Sequence, residues 1–187
     1  IRETRIVPLV ALDPQRSLLA LVEVDTSDGA QTYFLPLAAH WGEEHLKQEA
    51  TRLGRTMAKI RSGPRVGALV DGATDEDVAA AIIEGMRRGR TESLAEGSLR
   101  FVGTAGLDGL GELSTPRPLG AEQSNVSIAF DDKVILKIYR RLRAGEQPDV
   151  EVARALTEVA GYDHTPALLG TLELAPAEGA PTTLAAA

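Results

Sequence analysis

The stretch NVSIAFDDKVILKIY, residues 125–139, decides the fold that the sequence predicts. It contains two short apolar runs, 126–130 and Val134–Tyr139, separated by the polar link DDK at 131–133. Branched and aromatic side chains favour strands, and a short polar link joins neighbouring strands into an antiparallel hairpin. Because side chains alternate along a strand, Lys137 shares one face of the second run with apolar neighbours. The stretch therefore predicts a β-hairpin with a lysine on a largely apolar face.

An ammonium on such a face requires a counter-charge or an anionic ligand. The following helix is predicted to begin at Pro148, with Asp149 and Glu151 in its first turn, and we expect Glu151 to pair with Lys137. Phosphoryl transfer needs positive charge held over the nucleotide phosphates, and a carboxylate fixes the direction of a long, flexible ammonium. This order of residues therefore indicates a nucleotide site. The alternative interpretation is a solvated lysine, with Glu151 paired on the surface to Arg154.

The loop before the hairpin, residues 120–125, offers side-chain hydrogen bonds from Gln123, Ser124 and Asn125. In a nucleotide site of this kind the loop folds over the phosphates. It contains a single glycine, so side chains rather than bare backbone supply most of its hydrogen bonds. A plain polar turn is the alternative interpretation.

Upstream of this region the sequence predicts a sheet followed by helices. Three strand-like segments with short turn links, at 4–12, 17–24 and 31–37, indicate an antiparallel meander. Residues 43–59 are predicted as a weakly amphipathic helix. A stronger helix is predicted from an N-cap at Thr74 to about Gly89, because apolar residues recur there at four-residue spacing. Further strands are predicted at 65–70, 99–102, 117–121, 166–174 and 181–187, with a flexible connector at 103–111.

Five short motifs in the second half occur together: EQSN at 122–125, ILK at 135–137, RR at 140–141, PDVE at 148–151 and PALLG at 166–170. With these motifs, residues 117–174 resemble the ATP-binding region of bacterial maltokinases, which are relatives of the aminoglycoside phosphotransferases and are often fused to or partnered with trehalose synthase. The first half, through RIVPL at 5–9 and the meander that follows, is more loosely similar to that family's N-terminal cap domain.

The resemblance implies an ATP-dependent sugar kinase that phosphorylates maltose at its anomeric hydroxyl to give maltose 1-phosphate. In such an enzyme Lys137 contacts the ATP phosphates, Glu151 orients Lys137, and the loop with Gln123, Ser124 and Asn125 closes over the nucleotide. The implied cofactors are ATP and Mg²⁺, and the implied partners are ATP, maltose and trehalose synthase. The catalytic base, the Mg²⁺ ligands and the sugar pocket belong to a larger lobe of the family. We therefore expect no catalytic residue within these 187 residues, and no turnover from them alone.

The composition argues against several other functions. The net charge is −7, there is no cysteine, and lysine and arginine do not cluster. Disulfides and thiolate metal sites are excluded, and a nucleic-acid or anionic membrane surface is not expected. No apolar run approaches the roughly 20 residues of a membrane span, and we expect a cytoplasmic protein. His40 and His45 do not have the i, i+4 spacing of a zinc pair, so no metal site is predicted.

The predicted architecture is α+β with two subdomains. Residues 1–103 are expected to form an antiparallel-sheet cap with helices. Residues 104–187 are expected to form a protein-kinase-like N-lobe of antiparallel strands and one main helix. Two alternative functions stay open: a related cap-bearing kinase for another sugar such as glucosamine, and a non-catalytic docking module for trehalose synthase.

Overall fold

The computed structural model describes residues 1–44, 56–121, 124–162 and 164–187. Within them the chain is mostly β and forms two antiparallel sheets, of five and seven strands. The first sheet has the order β1-β2-β3-β5-β4 and contains β1 (Glu3–Asp13), β2 (Ser17–Thr26), β3 (Gly29–Trp41), β4 (Thr56–Ser62) and β5 (Arg65–Asp71). The second has the order β6-β7-β11-β12-β10-β9-β8 and contains β6 (Thr91–Leu94), β7 (Gly97–Gly103), β8 (Arg117–Ala121), β9 (Asn125–Phe130), β10 (Val134–Tyr139), β11 (Gly170–Ala175) and β12 (Thr182–Ala186).

Helices occupy a small part of the described chain. They are α1 (Glu76–Arg87), α2 (Ala105–Asp108), α3 (Pro148–Arg154), a 3₁₀ turn at Gly72–Thr74 and a π turn at Ala155–Val159 that continues α3. Helix α1 begins one residue later than the predicted cap, because the carboxylate of Asp75 accepts a hydrogen bond from the Val78 amide at 3.1 Å. It ends at Arg87, and the chain leaves it through Gly89, which adopts a φ of +57° that a glycine accepts at little cost. No helix in the described ranges is long and apolar enough to cross a membrane.

The predicted α+β class, with an antiparallel-sheet cap that carries helices and a kinase-like N-lobe, is wrong, because the described chain is mostly β with few helices. Part of the predicted helix at 43–59 is strand β4, which forms a hairpin with β5; residues 45–55 of that prediction lie outside the described residues. Strand β6 was not predicted at all, and it forms a second hairpin with β7 through Gly97 at a φ of +104°. Pairing with a neighbouring strand overrides weak local preference in both segments. The three-strand meander and the hairpin of β9 and β10 are confirmed.

The second sheet takes strands from both sides of the expected domain boundary at 103/104. Strand β7 pairs with β11, so that Phe101 lies opposite Leu172. Helix α1 approaches the end of β7 so closely that position 103 must be glycine. A Cβ on Gly103 would lie 2.4 Å from the carbonyl oxygen of Met86. Strands close to the boundary on its N-terminal side are therefore part of the same sheet as the hairpin of β9 and β10.

Helix α1 packs where the two sheets meet. Its residues Val78, Ile82 and Met86 are fully buried, and the helix contacts β1, β7 and β11. Gly85 lets the ring of Phe101 approach closely, since a Cβ there would lie 2.5 Å from that ring. One continuous apolar core extends through the helix into both sheets, and it includes Leu19, Leu21, Phe34, Leu99, Ile128, Leu136, Ile138 and Leu184.

Replacing Asp75 with asparagine should make the protein less stable at neutral pH. Asp75 is 7% exposed and its carboxylate lies 2.7 Å from Nε2 of His40 on β3. Burial raises the pKa of Asp75, but the hydrogen bonds from His40 and the Val78 amide outweigh burial and lower it overall. Because the folded-state pKa is depressed, the stabilisation is present above about pH 4 and is lost as the pH falls through the folded value.

We expect Asp75→Asn to lower the free energy of unfolding by about 2 kcal/mol at pH 7. The difference between variant and wild type should shrink as the pH falls below about 4. Urea unfolding across this pH range measures both effects, and Asp77→Asn, an exposed carboxylate in the same helical turn, is the matched control. An equal loss at pH 7 and at about pH 3 would contradict this account of the His40–Asp75 pair.

Candidate functional site

The candidate site lies on β10, on the face of the second sheet opposite the main core. Val134, Leu136 and Ile138 are buried in that core. The alternate residues point the other way: Ile135 is 57% exposed, and the side chain of Lys137 is 36% exposed. The predicted alternation along this strand is therefore confirmed, and the lysine reaches solvent from a sheet surface.

The partner of Lys137 is Asp149, not Glu151. Nζ of Lys137 lies 2.5 Å from Oδ2 of Asp149. The hydroxyl of Tyr139, two residues along the same strand face, donates a hydrogen bond to the same oxygen at 2.9 Å. The Lys137 ammonium also lies 5.5 Å from the centre of the Tyr139 ring. Lysine, aspartate and tyrosine thus form one polar cluster, which we call the Lys137–Asp149–Tyr139 cluster.

The rotation of α3 explains why the predicted glutamate is not used. Val150 is 2% exposed and packs with Tyr139 and Leu168, so it sets the buried side of the helix. Successive helical residues are rotated by about 100°, so the residues on either side of Val150 project to opposite flanks. Asp149 faces β10, whereas Glu151 is exposed and its carboxylate makes no hydrogen bond or ion pair within the described part of the chain.

The alternative surface pair between Glu151 and Arg154 does not form either. Arg154 instead lies 3.0 Å from Glu146 and 3.5 Å from Glu158. These contacts hold α3 to the loop before it and to the π turn after it. The helix is therefore fixed at both ends while Asp149 faces the lysine.

The charges of the cluster are well defined at neutral pH. Burial raises the pKa of Asp149, but hydrogen bonds from Lys137 and Tyr139 outweigh burial and lower it overall. Burial and the charge of Asp149 both raise the pKa of Tyr139. Asp149 is therefore a carboxylate and Tyr139 a neutral phenol that donates its proton to it. The carboxylate accepts from two donors and holds the ammonium at the edge of the helix.

Small side chains flank the lysine on the sheet. Residues directly opposite each other in an antiparallel pair share a face, and Lys137 lies opposite Ser127 on β9 and Ala186 on β12. The next position on β9 is Ala129, opposite Ile135. Ser127 is half-buried, whereas Ala129 and Ala186 are buried, and Ala186 packs in a cluster with Tyr139, Val150 and Leu168.

The structure places part of the predicted phosphate loop beside this surface. Asn125 lies opposite Tyr139 and is therefore a diagonal neighbour of Lys137. Ser124 is exposed, and its carbonyl accepts a hydrogen bond from the Arg140 amide at 2.9 Å. Gln123 lies outside the described residues. The described end of the loop is thus attached to the strand that carries Lys137.

Sequence reasoning missed the roles of two cluster residues. The expected acidic partner was Glu151 rather than Asp149, and no role was expected for Tyr139. The apolar residue at 150 could have shown this, because burying it places Asp149 and Glu151 on opposite sides of the helix. Tyr139 could have been found from its i+2 spacing to Lys137, since residues two apart share a strand face.

Comparison with models of known protein families gives no match for this chain. Within the described residues, no group of three or more histidine, cysteine, aspartate and glutamate side chains could hold a metal ion. His40 pairs with Asp75, and His45 lies outside the described residues. The Lys137–Asp149–Tyr139 cluster presents an ammonium beside a single carboxylate, which suits an anionic ligand better than a metal.

Replacing Tyr139 with phenylalanine should raise the pKa of Asp149 toward its ordinary value. The substitution keeps the buried ring and removes one of the two side-chain donors to the carboxylate. The free energy of unfolding should fall by about 1 kcal/mol, as is typical when one hydrogen bond is lost. Carboxyl ¹³C NMR titration measures the pKa, and Tyr33→Phe, whose hydroxyl bonds to Gln31 instead, is the control. An unchanged titration of Asp149 would show that Tyr139 does not hold it.

Proposed function

We propose that this chain forms the nucleotide-binding part of an ATP-dependent sugar kinase, a maltokinase that transfers phosphate from ATP to maltose and gives maltose 1-phosphate. The observation that carries the proposal is the Lys137 ammonium, held 2.5 Å from Asp149 and 36% exposed to solvent. The choice of maltose comes from the motifs shared with maltokinases. ATP as phosphate donor fits a cytoplasmic location.

The cluster supplies what phosphoryl transfer requires of a nucleotide site. Negative charge is spread over the phosphate oxygens throughout the reaction, so catalysis depends on fixed positive charge and positioning. An ammonium has three donors, and Lys137 can therefore keep its bond to Asp149 while donating to a phosphate oxygen. Asp149 limits the rotamers of the long lysine side chain, which lowers the entropy lost when the phosphates bind.

The position of the lysine supports the same function. In protein kinases the lysine that contacts ATP lies on the third strand and pairs with a carboxylate on the helix that follows. Here Lys137 lies on the third of the strands after residue 104, and its partner Asp149 is in the first turn of the next helix, α3.

We assign nucleotide-binding roles to residues that lie near Lys137. Ser127, directly opposite Lys137 on β9, is half-buried and carries a hydroxyl that can donate to a phosphate oxygen. Ser124 and Asn125 carry donors at the described end of the phosphate loop. Mg²⁺ supplies charge neutralisation on the phosphates when ATP is bound. We assign neither a catalytic base nor a metal ligand to the described residues.

Calorimetric titration with ATP·Mg²⁺ and with AMP tests the nucleotide site. ATP should bind at least about tenfold more tightly than AMP, because charge-assisted hydrogen bonds to phosphate add about 1.4 kcal/mol or more. Equal affinity for the two nucleotides, or no binding of either, would contradict the proposal. Tight binding of trehalose synthase without any nucleotide response would instead support the docking function.

The acceptor sugar is tested in the protein that also carries the larger lobe implied by the resemblance. With ATP and Mg²⁺, maltose should yield a sugar 1-phosphate that mass spectrometry detects, and glucosamine should not. Phosphorylation of glucosamine in preference to maltose would support the kinase function but show that the acceptor is glucosamine rather than maltose.

A further inference from the structure

The residue that follows β10 joins the two sheets through its side chain. Nη2 of Arg140 lies 2.6 Å from Oδ2 of Asp71, at the end of β5 in the first sheet. The two side chains are 24% and 23% exposed. The other carboxylate oxygen of Asp71 accepts from the Ala73 amide at 3.0 Å and caps the turn at Gly72–Thr74. Both partners are thus held in place by the elements that carry them.

The backbone of the same residue makes two further connections. The Arg140 amide donates to the Ser124 carbonyl at 2.9 Å, and the Arg140 carbonyl accepts from the Phe34 amide on β3 at 2.8 Å. The Leu142 amide also donates to Thr32 on β3 at 2.9 Å, and Arg141 forms an isolated β-bridge with Tyr33. Arg140 therefore connects the end of the phosphate loop, the strand of Lys137 and the first sheet.

We propose that Arg140 is a positioning residue for the nucleotide site and makes ATP affinity depend on the first sheet; this inference rests on the proposed function. Lys137 lies three residues before Arg140 on the same chain segment, and Ser124 marks the end of the loop expected over the phosphates. Fixing both to a packed sheet lowers the ordering cost when a triphosphate binds. The other arginine of the RR motif, Arg141, is exposed and serves as an internal comparison.

A purely structural role predicts different results from a positioning role. If the Arg140–Asp71 pair only adds stability, its loss lowers the free energy of unfolding and leaves the ATP affinity of the folded protein unchanged. If the pair positions the site, ATP affinity falls while the protein is still folded. A variant that loses stability through the core separates the two roles, and Val78→Ala on α1 serves because Val78 is fully buried and is not a partner in the Arg140–Asp71 contact.

The experiment compares ATP·Mg²⁺ affinity, by calorimetry at a temperature where every variant is folded, across substitutions at the pair. Arg140→Gln and Asp71→Asn should each weaken binding by about fivefold to tenfold, and the double variant should be no weaker than either. Arg140→Lys should recover most of the affinity because the charge is kept. Arg141→Gln and Val78→Ala should leave the affinity within about twofold of wild type.

Hydrogen exchange provides a readout that does not need nucleotide. The Phe34 and Leu142 amides should exchange faster in Arg140→Gln than in Arg141→Gln, since both amides belong to the bridge between β3 and 140–142. An Arg140→Gln variant with wild-type ATP affinity, additive effects in the double variant, or unchanged exchange at these amides would overturn the positioning role and leave the kinase proposal standing. Absence of ATP binding by the wild type would overturn the kinase proposal and the positioning role together.

Discussion

Replacing Lys137 with alanine should weaken ATP·Mg²⁺ binding by about 50-fold, because one charge-assisted interaction with phosphate contributes about 2 to 3 kcal/mol. The free energy of unfolding should change little, since the Lys137–Asp149 pair is partly exposed and screened by solvent. Calorimetric titration and urea unfolding measure the two quantities. Loss of binding without loss of stability is the pattern expected of a ligand-contacting residue.

Two matched variants sharpen this prediction. Lys133→Ala removes an exposed lysine from the turn between β9 and β10 and should leave ATP affinity within about twofold of wild type. Asp149→Asn keeps the shape of the partner and removes its charge, so it should weaken binding by an intermediate factor of about five. Equal ATP affinities of wild type and Lys137→Ala would show that ATP does not bind at this surface.

Replacing Phe101 with alanine should lower the free energy of unfolding by about 4 kcal/mol, as is typical for deletion of a fully buried aromatic ring. Phe101 is 1% exposed, lies on β7 and packs closely against Gly85 of α1. Because one core connects α1 with both sheets, the resulting cavity should destabilise the first sheet as well as the second. Unfolding should therefore remain a single transition at a lower denaturant midpoint.

Two probes test whether the sheets unfold together. Fluorescence of Trp41, the single tryptophan, reports on β3 in the first sheet, and amide NMR signals of β10 and β11 report on the second. The denaturant midpoints measured by the two probes should fall by the same amount in Phe101→Ala. Val102→Ala, which alters the adjacent 42% exposed residue on the opposite face, should change stability by less than about 1 kcal/mol. A Trp41 midpoint that stays at the wild-type value would show that the sheets are independent subdomains.

Local sequence patterns were sufficient where short links joined strongly apolar strands. The bounds predicted for β8 and β10 match the structure, and the meander of β1 to β3 differs only by a few terminal residues. The fold class failed for two reasons. Strands β4 and β6 each form a short hairpin with the next strand, but neither shows a clear alternation of apolar residues that predicts it. Strand β7 finds its second partner, β11, far along the chain, and no local pattern predicts that pairing.

The alternation along β10 correctly separates Lys137 from Val134, Leu136 and Ile138, which are buried in the core. The predicted pairing of Lys137 with Glu151 is wrong. The acidic partner depended on how α3 rotates, which is set by the burial of Val150 against Tyr139 and Leu168. Sequence spacing gives the angle between Asp149 and Glu151, but the tertiary contact of Val150 decides which of the two faces the strand.

The most direct test of the central claim is chemical labelling with an ATP analogue that carries an acyl group on its terminal phosphate. Such a reagent transfers the acyl group to an amine held beside the phosphates, with release of ATP, and peptide mass spectrometry identifies the lysine. Lys137 should be labelled in preference to Lys133 and Lys59, and excess ATP·Mg²⁺ should block its labelling. Equal labelling of the three lysines, unchanged by ATP, would contradict a triphosphate site at Lys137.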